Sequence, residues 1–141
     1  MKRSASAVWT GDLKSGKGTI STESGVLSGT PYSFKTRFEQ GTGTNPEELI
    51  GAAHAGCFSM ALSVELQKAG LVAERIATKA DVTLEQKPDG FAITAIHLTL
   101  DAKVPGASQS AFDQAVQAAK TGCPVSKLFR ADITLDATLE A

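Results

Sequence analysis

Residues 45–70 decide the fold, and they read NPEELIGAAHAGCFSMALSVELQKAG. Asn45 is a favourable N-cap residue, Pro46 suits the first helical position, and the acidic Glu47 suits the positive end of a helix dipole. Gly70 suits the position just after the end of a helix. The first two thirds of this stretch are apolar almost all round and rich in alanine and glycine. They therefore predict a long helix that is buried on several sides.

Short strands are predicted before this helix. Residues 5–10 and 18–22 are β-prone runs separated by glycine and serine. In residues 33–39 the side chains alternate, with Phe34, Thr36 and Phe38 on one face and the polar and charged side chains on the other. This alternation predicts a further strand, with Arg37 on its polar face.

Two long strands and then further helices are predicted after residue 70. Residues 75–86 and 92–104 alternate between apolar and polar side chains, and the turn residues 87–90 predict that they form a hairpin. Ser110 is predicted to open a helix that ends at Gly122. The remaining predicted elements are a short turn or helix that begins at Cys123-Pro124 and a last strand over residues 133–139.

Length and composition fit one globular domain. The order of elements predicts a single α+β domain over residues 1–141, not the repeating units of a doubly wound sheet. Hydrophobic residues make up 42% and charged residues 21%, which excludes disordered and fibrous classes. With 14 basic and 15 acidic residues the net charge is -1, which excludes nucleic-acid binding through a strongly basic surface.

Targeting and membrane signals are not predicted. Residues 4–17 lack the continuous apolar core of a signal peptide. The longest apolar stretch, residues 49–66, contains His54 and Glu65 and so favours a buried helix over a membrane span. We therefore predict a cytoplasmic protein, in which a pair of cysteines is more often catalytic, redox-active or inert than structural.

The two cysteines leave several chemical roles open. Cys57, near the middle of the predicted helix, is either a small core side chain or a thiolate. A thiolate there needs a nearby cation, because the N-terminus of its own helix is ~16 Å away. Cys123 is predicted at the N-cap of a short helix starting at Pro124, where a resolving or a metal-binding thiol would fit. Two cysteines and two histidines without paired spacing disfavour a structural metal site, and their spacing leaves open whether the cysteines meet. His54, one turn before Cys57, is either a packed core residue or a group that promotes the thiolate.

Several stretches resemble one known family. Residues 44–62 resemble the helix signature of the OsmC proteins, which belong to one superfamily with the organic hydroperoxide resistance proteins. Residues 121–126, which read TGCPVS, resemble the second cysteine segment of that family. Residues 9–12, 16–19 and 21–25 are similar to the OsmC branch, so the resemblance extends over almost the whole chain.

The resemblance implies a fold and an activity. It implies antiparallel sheets around a long central helix in an intertwined homodimer, with two active sites at the interface. In such a thiol peroxidase Cys57 is the thiolate that attacks an organic hydroperoxide and Cys123 is the resolving thiol. Arg37 and Glu47 then correspond to the charged pair that activates Cys57. No metal or flavin is implied, and an external dithiol, with a lipoyl-type dithiol as one candidate, is the implied reductant.

Helix dimensions constrain where Glu47 can act. Ten residues of one helix separate Glu47 from Cys57 by ~15 Å and about 80°, so Glu47 cannot contact the cysteine of its own helix. If Glu47 serves a cysteine, we expect that cysteine to belong to the partner chain across a two-fold axis. Two other functions stay open: a small-molecule-binding dimer with inert cysteines, and a redox sensor that forms a disulfide without turnover.

Overall fold

A computed structural model of the chain describes residues 1–128, so the strand predicted over residues 133–139 lies outside the described part. The described strands are Ala5–Thr10 (β1), Lys17–Thr22 (β2), Thr30–Tyr32 (β3), Arg75–Lys87 (β4) and Gly90–Lys103 (β5). The described helices are Phe34–Phe38 (α1), Pro46–Lys68 (α2), Gln109–Gly122 (α3) and Pro124–Lys127 (α4). Antiparallel strands with separate helices confirm the α+β prediction. The intertwined homodimer stays a prediction.

The described residues form two compact units. The first holds residues 1–52 and 81–96, and the second holds residues 53–80 and the described residues from 97 onward. Helix α2 and the hairpin strands β4 and β5 each contribute to both units. The prediction of one domain over residues 1–141 stays a prediction.

A three-stranded antiparallel sheet, ordered β1-β2-β3, lies in the first unit. Gly18 pairs with Trp9 on one side and with Tyr32 on the other, and the two aromatic rings lie 5.5 Å apart. A Cβ atom at Gly18 would lie 2.3 Å from the Tyr32 ring, so only glycine lets these rings pack across the strand.

The strand predicted over residues 33–39 is wrong, because this segment forms helix α1. Ser33 caps the helix: its hydroxyl accepts a hydrogen bond from the Thr36 backbone N–H, and the Thr36 hydroxyl accepts one from the Ser33 N–H. Phe34 and Phe38, four residues apart, then pack with ring centroids 4.8 Å apart. The spacing that suggested alternation is also the spacing of one turn of a helix.

Helix α2 begins and ends close to the predicted residues. The Asn45 side chain accepts a hydrogen bond from the Glu48 N–H at 2.9 Å, and Gly70 has a positive φ of 73° just beyond the helix. By length and hydropathy alone α2 could also cross a membrane, a property that it shares with the core helices of globular proteins. Its place in the core of the second unit favours the core-helix interpretation.

Only one side of α2 is buried in the single chain. Phe58, Leu62 and Leu66 lie in the core of the second unit. On other sides of the helix Gly56 and Val64 are exposed, and the Met60 side chain has a relative exposure of 75%. Burial on several sides, as the sequence predicts, is therefore not achieved within one chain, and α2 presents an exposed apolar stripe formed by Gly56, Met60 and Val64.

Helix α3 completes the core of the second unit. Ala115 and Ala119 of α3 and Cys123 pack against the buried residues of α2. The helix begins two residues earlier than predicted, because Ser108 and not Ser110 is its N-cap, with the hydroxyl accepting a hydrogen bond from the Ala111 N–H. The predicted hairpin is confirmed, since only residues 88 and 89 separate β4 from β5.

Candidate active site

The two cysteines meet in the second unit. Cys57 lies on α2, and Cys123 lies between α3 and α4, where it occupies the predicted N-cap position. Their sulfur atoms are 2.9 Å apart and both thiols are free. Because a disulfide bond is about 2.05 Å long, a small movement would allow the two sulfur atoms to bond. The structure therefore answers the question that the 66-residue spacing leaves open.

The surroundings of the two thiols make them chemically unequal. Burial raises the pKa of the Cys57 thiol, and the adjacent Cys123 raises it further, against a smaller opposite effect of the Val125 N–H. Burial also acts to raise the pKa of Cys123, but the neighbouring Cys57 thiol and the polar groups of Ser126 outweigh it, so this pKa is lowered. Within this unit, among the described residues, no positive charge contributes to the shift at Cys57. A thiolate at Cys57 therefore still needs the cation that the sequence analysis calls for.

An arginine–glutamate pair lies in the first unit. The Arg37 Nη2 and Nε atoms donate to the Glu47 carboxylate, with distances to Oε1 of 2.8 Å and 3.1 Å. The Glu47 side chain has an exposed fraction of only 12%, so this pair is partly shielded from water. Asn45 helps to position it: while capping α2, its amide nitrogen donates to the Thr36 carbonyl of α1 at 3.2 Å. The guanidinium is thus held in a fixed orientation.

A cluster of three aromatic rings lies beside Arg37. Phe38 lies between Phe34 and Phe91, with centroid distances of 4.8 Å and 5.1 Å. The Arg37 guanidinium carbon lies 5.3 Å from the Phe38 centroid, a cation–π contact. Phe91 is largely exposed, so an apolar surface lies beside a charged group.

Known proteins show the same combination of sequence and fold. A family model described as OsmC-like protein matches residues 39–138. The chain belongs to the OsmC-like protein family. The chain is 58% identical over 135 residues to a protein of Escherichia coli named peroxiredoxin OsmC, covering 96% of this chain and 94% of that one.

More distant relatives extend this OsmC-like assignment. An organic hydroperoxide resistance protein of Xanthomonas axonopodis pv. citri is 33% identical over 100 residues, covering 70% of this chain and 68% of that one. The crystal structure of the organic hydroperoxide resistance protein OhrB of Bacillus subtilis superposes with a TM-score of 0.65 at 26% identity, covering 92% of each chain. The resemblance read from the sequence is confirmed, and so is the fold class.

The four predicted site residues of this OsmC-like chain form two pairs. Arg37 lies with Glu47 in the first unit, and Cys57 lies with Cys123 in the second. Their roles as activating pair, peroxide-attacking thiol and resolving thiol stay predictions. In the part of the chain that the structure describes, no group of three or more histidine, cysteine and acidic side chains is arranged to hold a metal ion.

Sequence reasoning missed Ser126. Its hydroxyl lies 2.9 Å from the His54 Nε2 atom, and it also contributes to the lowered pKa of Cys123. The sequence did hold a signal, because Ser126 is the third residue after Cys123, the predicted N-cap. Residues at this position of a helix lie close to the cap residue. The sequence analysis left two interpretations of His54 open, and the structure shows a packed, hydrogen-bonded residue, as in the first of them.

We expect His54 to make the folded chain less stable in mild acid. The residue has an exposed fraction of 6%, and burial lowers its pKa below the ordinary value of 6.5. Because the unfolded chain then binds the proton more readily, stability is fully present above about pH 6.5 and is lost as the pH falls through the lower folded-state pKa. Thermal unfolding of the wild type and of His54→Gln measures this. Between about pH 7 and pH 5 the melting temperature of the wild type should fall further than that of His54→Gln. Equal falls in the two proteins would contradict the expectation.

Proposed function

We propose that this protein is a thiol-dependent peroxidase that reduces organic hydroperoxides to alcohols. The observation that carries the proposal is the pair of free thiols, 2.9 Å apart, in a chain of the OsmC-like family. The names of its relatives support it, since one is called a peroxiredoxin and another an organic hydroperoxide resistance protein. We further propose that it works in the cytoplasm and that a dithiol, with a lipoyl-type dithiol as one candidate, reduces it.

The proposed cycle uses both sulfur atoms. The Cys57 thiolate attacks one oxygen of the hydroperoxide, the O–O bond breaks, and the departing alkoxide takes up a proton to become the alcohol. Cys57 is left as a sulfenic acid. Cys123 then attacks the Cys57 sulfur, water leaves, and a disulfide forms. An external dithiol reduces this disulfide by thiol–disulfide exchange and restores both thiols.

Activation of Cys57 is assigned to Arg37, with Glu47 holding the guanidinium. An adjacent guanidinium favours the thiolate over the thiol, which offsets the effect of burial on Cys57. The two oriented hydrogen bonds from Arg37 to Glu47 support a fixed cation. The partly buried Phe38 next to Arg37 and the exposed Phe91 packed against it support a substrate with an apolar group, which favours an organic hydroperoxide over hydrogen peroxide.

We assign the Arg37–Glu47 pair of one chain to the Cys57 of a second copy. Glu47 and Cys57 lie on the continuous helix α2, and ten residues of helix correspond to ~15 Å. The exposed apolar stripe of α2, Gly56, Met60 and Val64, supports association of two chains through this helix, because an unpartnered apolar surface favours burial.

Hydroperoxide consumption tests the function. We expect the protein to consume cumene hydroperoxide in the presence of a dithiol, and to consume hydrogen peroxide more slowly. Consumption at the rate of the buffer alone would contradict a peroxidase. Two thiols that stay free after peroxide treatment would then indicate a binding protein, whereas a disulfide formed without turnover would indicate a redox sensor.

Replacing Cys123 with serine should end turnover but not the first reaction. Each Cys57 is expected to consume about one equivalent of hydroperoxide and to stop as a sulfenic acid, since no resolving thiol is present. Peroxide titration with trapping of the sulfenic acid by dimedone measures this. Sustained turnover of Cys123→Ser with the dithiol would contradict the resolving role.

Mixed dimers test the assignment across chains. A dimer of one Glu47→Ala chain and one Cys57→Ser chain contains one complete site only if Glu47 and Cys57 act from different chains. We expect each mixed dimer to work at up to about half of the rate of a wild-type dimer, because one of its two sites is intact. Activity no higher than that of the two parent variants would contradict the assignment.

A further inference from the structure

Two contacts join the same two turns of the chain within the second unit. One turn of α2 leads from His54 to Cys57, and the turn that opens α4 leads from Cys123 to Ser126. The two sulfur atoms lie 2.9 Å apart, and the His54 Nε2 atom lies 2.9 Å from the Ser126 Oγ atom. Because side chains three residues apart lie on the same side of a helical turn, the hydrogen bond and the sulfur contact are neighbouring links between these turns.

The hydrogen bond has a defined donor. His54 has a relative exposure of 6%, and its Nδ1 atom is buried with no hydrogen-bond partner among the described residues. A buried N–H without an acceptor is rarer than a buried acceptor without a donor, so the ring proton belongs on Nε2. His54 therefore donates the hydrogen bond and the Ser126 oxygen accepts it.

Helix α4 has few other attachments to α2. None of its four residues is buried, and Cys123 makes no side-chain hydrogen bond as its N-cap. Val125 packs against the core with part of its surface. Among the described side chains of α4, only Ser126 makes a hydrogen bond to α2. Core packing limits where the Cys123 sulfur can lie, and the hydrogen bond to His54 fixes the turn that follows it.

We propose that His54 and Ser126 are positioning residues for the resolving step, because their hydrogen bond holds the turn of Cys123 where its sulfur lies next to that of Cys57. The inference rests on the proposed peroxidase function for the step that it serves. In that step the Cys123 thiol loses its proton and its sulfur bonds to the Cys57 sulfur of the sulfenic acid. The S–O bond breaks, and the departing hydroxide takes up a proton to become water. Two sulfur atoms already held together need little further ordering to react.

An exchange with glutathione measures this preorganisation without any peroxide. One molecule of oxidised glutathione converts the two protein thiols into the Cys57–Cys123 disulfide and gives two molecules of reduced glutathione. The equilibrium constant of this exchange reports the effective concentration of one protein thiol toward the other. We expect His54→Leu and Ser126→Ala each to lower it about tenfold, because the released turn must be ordered when the disulfide forms; the reduction potential then becomes about 30 mV less negative. An unchanged constant in both variants would overturn the proposal.

Conservative variants separate the hydrogen bond from side-chain packing. Glutamine at position 54 presents an amide N–H near the place of Nε2, and threonine at position 126 keeps the hydroxyl. We expect His54→Gln and Ser126→Thr to keep the effective concentration within about twofold of the wild type. Equal losses in His54→Gln and His54→Leu would contradict a role for the hydrogen bond. Because Ser126 is only partly buried, Ser126→Ala decides the matter even if His54→Leu does not fold.

The double variant tests whether the two side chains act through one bond. If they do, the protein with both His54→Leu and Ser126→Ala should show the same fall of about tenfold as either single variant. A fall of about 100-fold would mean that the two residues act independently, and it would contradict the proposal.

Ser59→Ala is the matched control for loss of a hydrogen bond from α2. The Ser59 Oγ atom lies 2.8 Å from the Thr78 Oγ1 atom, so this bond joins α2 to β4 and not to α4. We expect Ser59→Ala to lower the melting temperature, as His54→Leu does, but to change the glutathione equilibrium by less than about twofold. An equal fall in Ser59→Ala and His54→Leu would indicate a general loosening of α2 and contradict the proposal.

A single turnover with hydroperoxide gives a second readout in the reaction itself. In Ser126→Ala we expect Cys57 to be oxidised within about twofold of the wild-type rate and the disulfide to form about tenfold more slowly. The longer-lived sulfenic acid meets a second hydroperoxide more often, so the yield of sulfinic acid at Cys57 should rise. Equal slowing of both steps would indicate a structural defect and overturn the proposal. If hydroperoxide leaves Cys57 unoxidised, the proposed function fails, while the glutathione equilibrium still decides the role of the hydrogen bond.

Discussion

Replacing Cys57 with serine should reduce dithiol-dependent hydroperoxide consumption to the background rate, a loss of more than about 10³-fold. A serine hydroxyl stays protonated at neutral pH and cannot replace a thiolate as the nucleophile toward a peroxide oxygen. The measurement is the rate of cumene hydroperoxide loss with excess dithiol.

The Cys123→Ser protein is the matched control for this experiment. It carries the same chemical change at the neighbouring sulfur, 2.9 Å away, and should still consume its single equivalent of peroxide. If Cys57→Ser retained turnover while Cys123→Ser lost all reactivity, the two roles would have to be exchanged. Because the two sulfur atoms are adjacent, each variant is the control for the other.

Replacing Arg37 with alanine should slow the oxidation of Cys57 by about 100-fold at neutral pH. An opposite charge within about 4–6 Å shifts a pKa by about 1–3 units, so removal of the guanidinium leaves Cys57 with the raised pKa that burial imposes. We also expect the guanidinium to donate a hydrogen bond to the departing alkoxide, and this donor would be lost as well. The two effects are measured by the pH dependence of Cys57 alkylation and by the peroxide rate in single turnover.

Lys35→Ala provides the control for charge alone. Lys35 is an exposed basic residue of the same short helix, and no ion pair to it is found among the described residues. We expect its removal to change the rate of Cys57 oxidation by less than about twofold, because exposed charges are screened. Equal losses in Lys35→Ala and Arg37→Ala would contradict a specific role for the Arg37 guanidinium. Arg37→Lys should fall between the two, since lysine keeps the charge but lacks the two-point hydrogen-bond geometry.

The elements that the sequence predicted correctly are those whose ends are set by interactions between residues close together in the chain. The cap at Asn45 and Gly70 after the helix placed α2, because both act through backbone groups within one turn. The turn at residues 87–90 placed the hairpin for the same reason. Strand β3 was missed, since three residues that include Pro31 carry too little pattern to stand out.

Helix α1 shows where a pattern can be interpreted in two ways. Over seven residues, apolar side chains at positions 34 and 38 fit both a strand face and one helical turn. The reciprocal hydrogen bonds between Ser33 and Thr36 stabilise the helix, and the helix in turn positions Arg37 beside Glu47. A serine followed three residues later by a hydroxyl residue was the signal available in the sequence.

For the candidate site, the sequence predicted the residues but not their contacts. Cys57, Cys123, Arg37 and Glu47 were named through the family resemblance, but no spacing rule predicts that sulfur atoms 66 residues apart lie in contact. That contact depends on the packing of α3 against α2, a tertiary effect. The hydrogen bond of His54 to Ser126 over 72 residues was unpredictable for the same reason.

The apolar stripe of α2 relates the stability of this protein to its abundance. A molecule that covers Gly56, Met60 and Val64 binds the folded chain only, because these side chains line up only when α2 has formed. By mass action the free energy of unfolding rises by about 1.4 kcal/mol for each tenfold increase of that molecule above its dissociation constant. Where the covering molecule is a second copy of the chain, a cell that makes more of the protein also makes each copy harder to unfold.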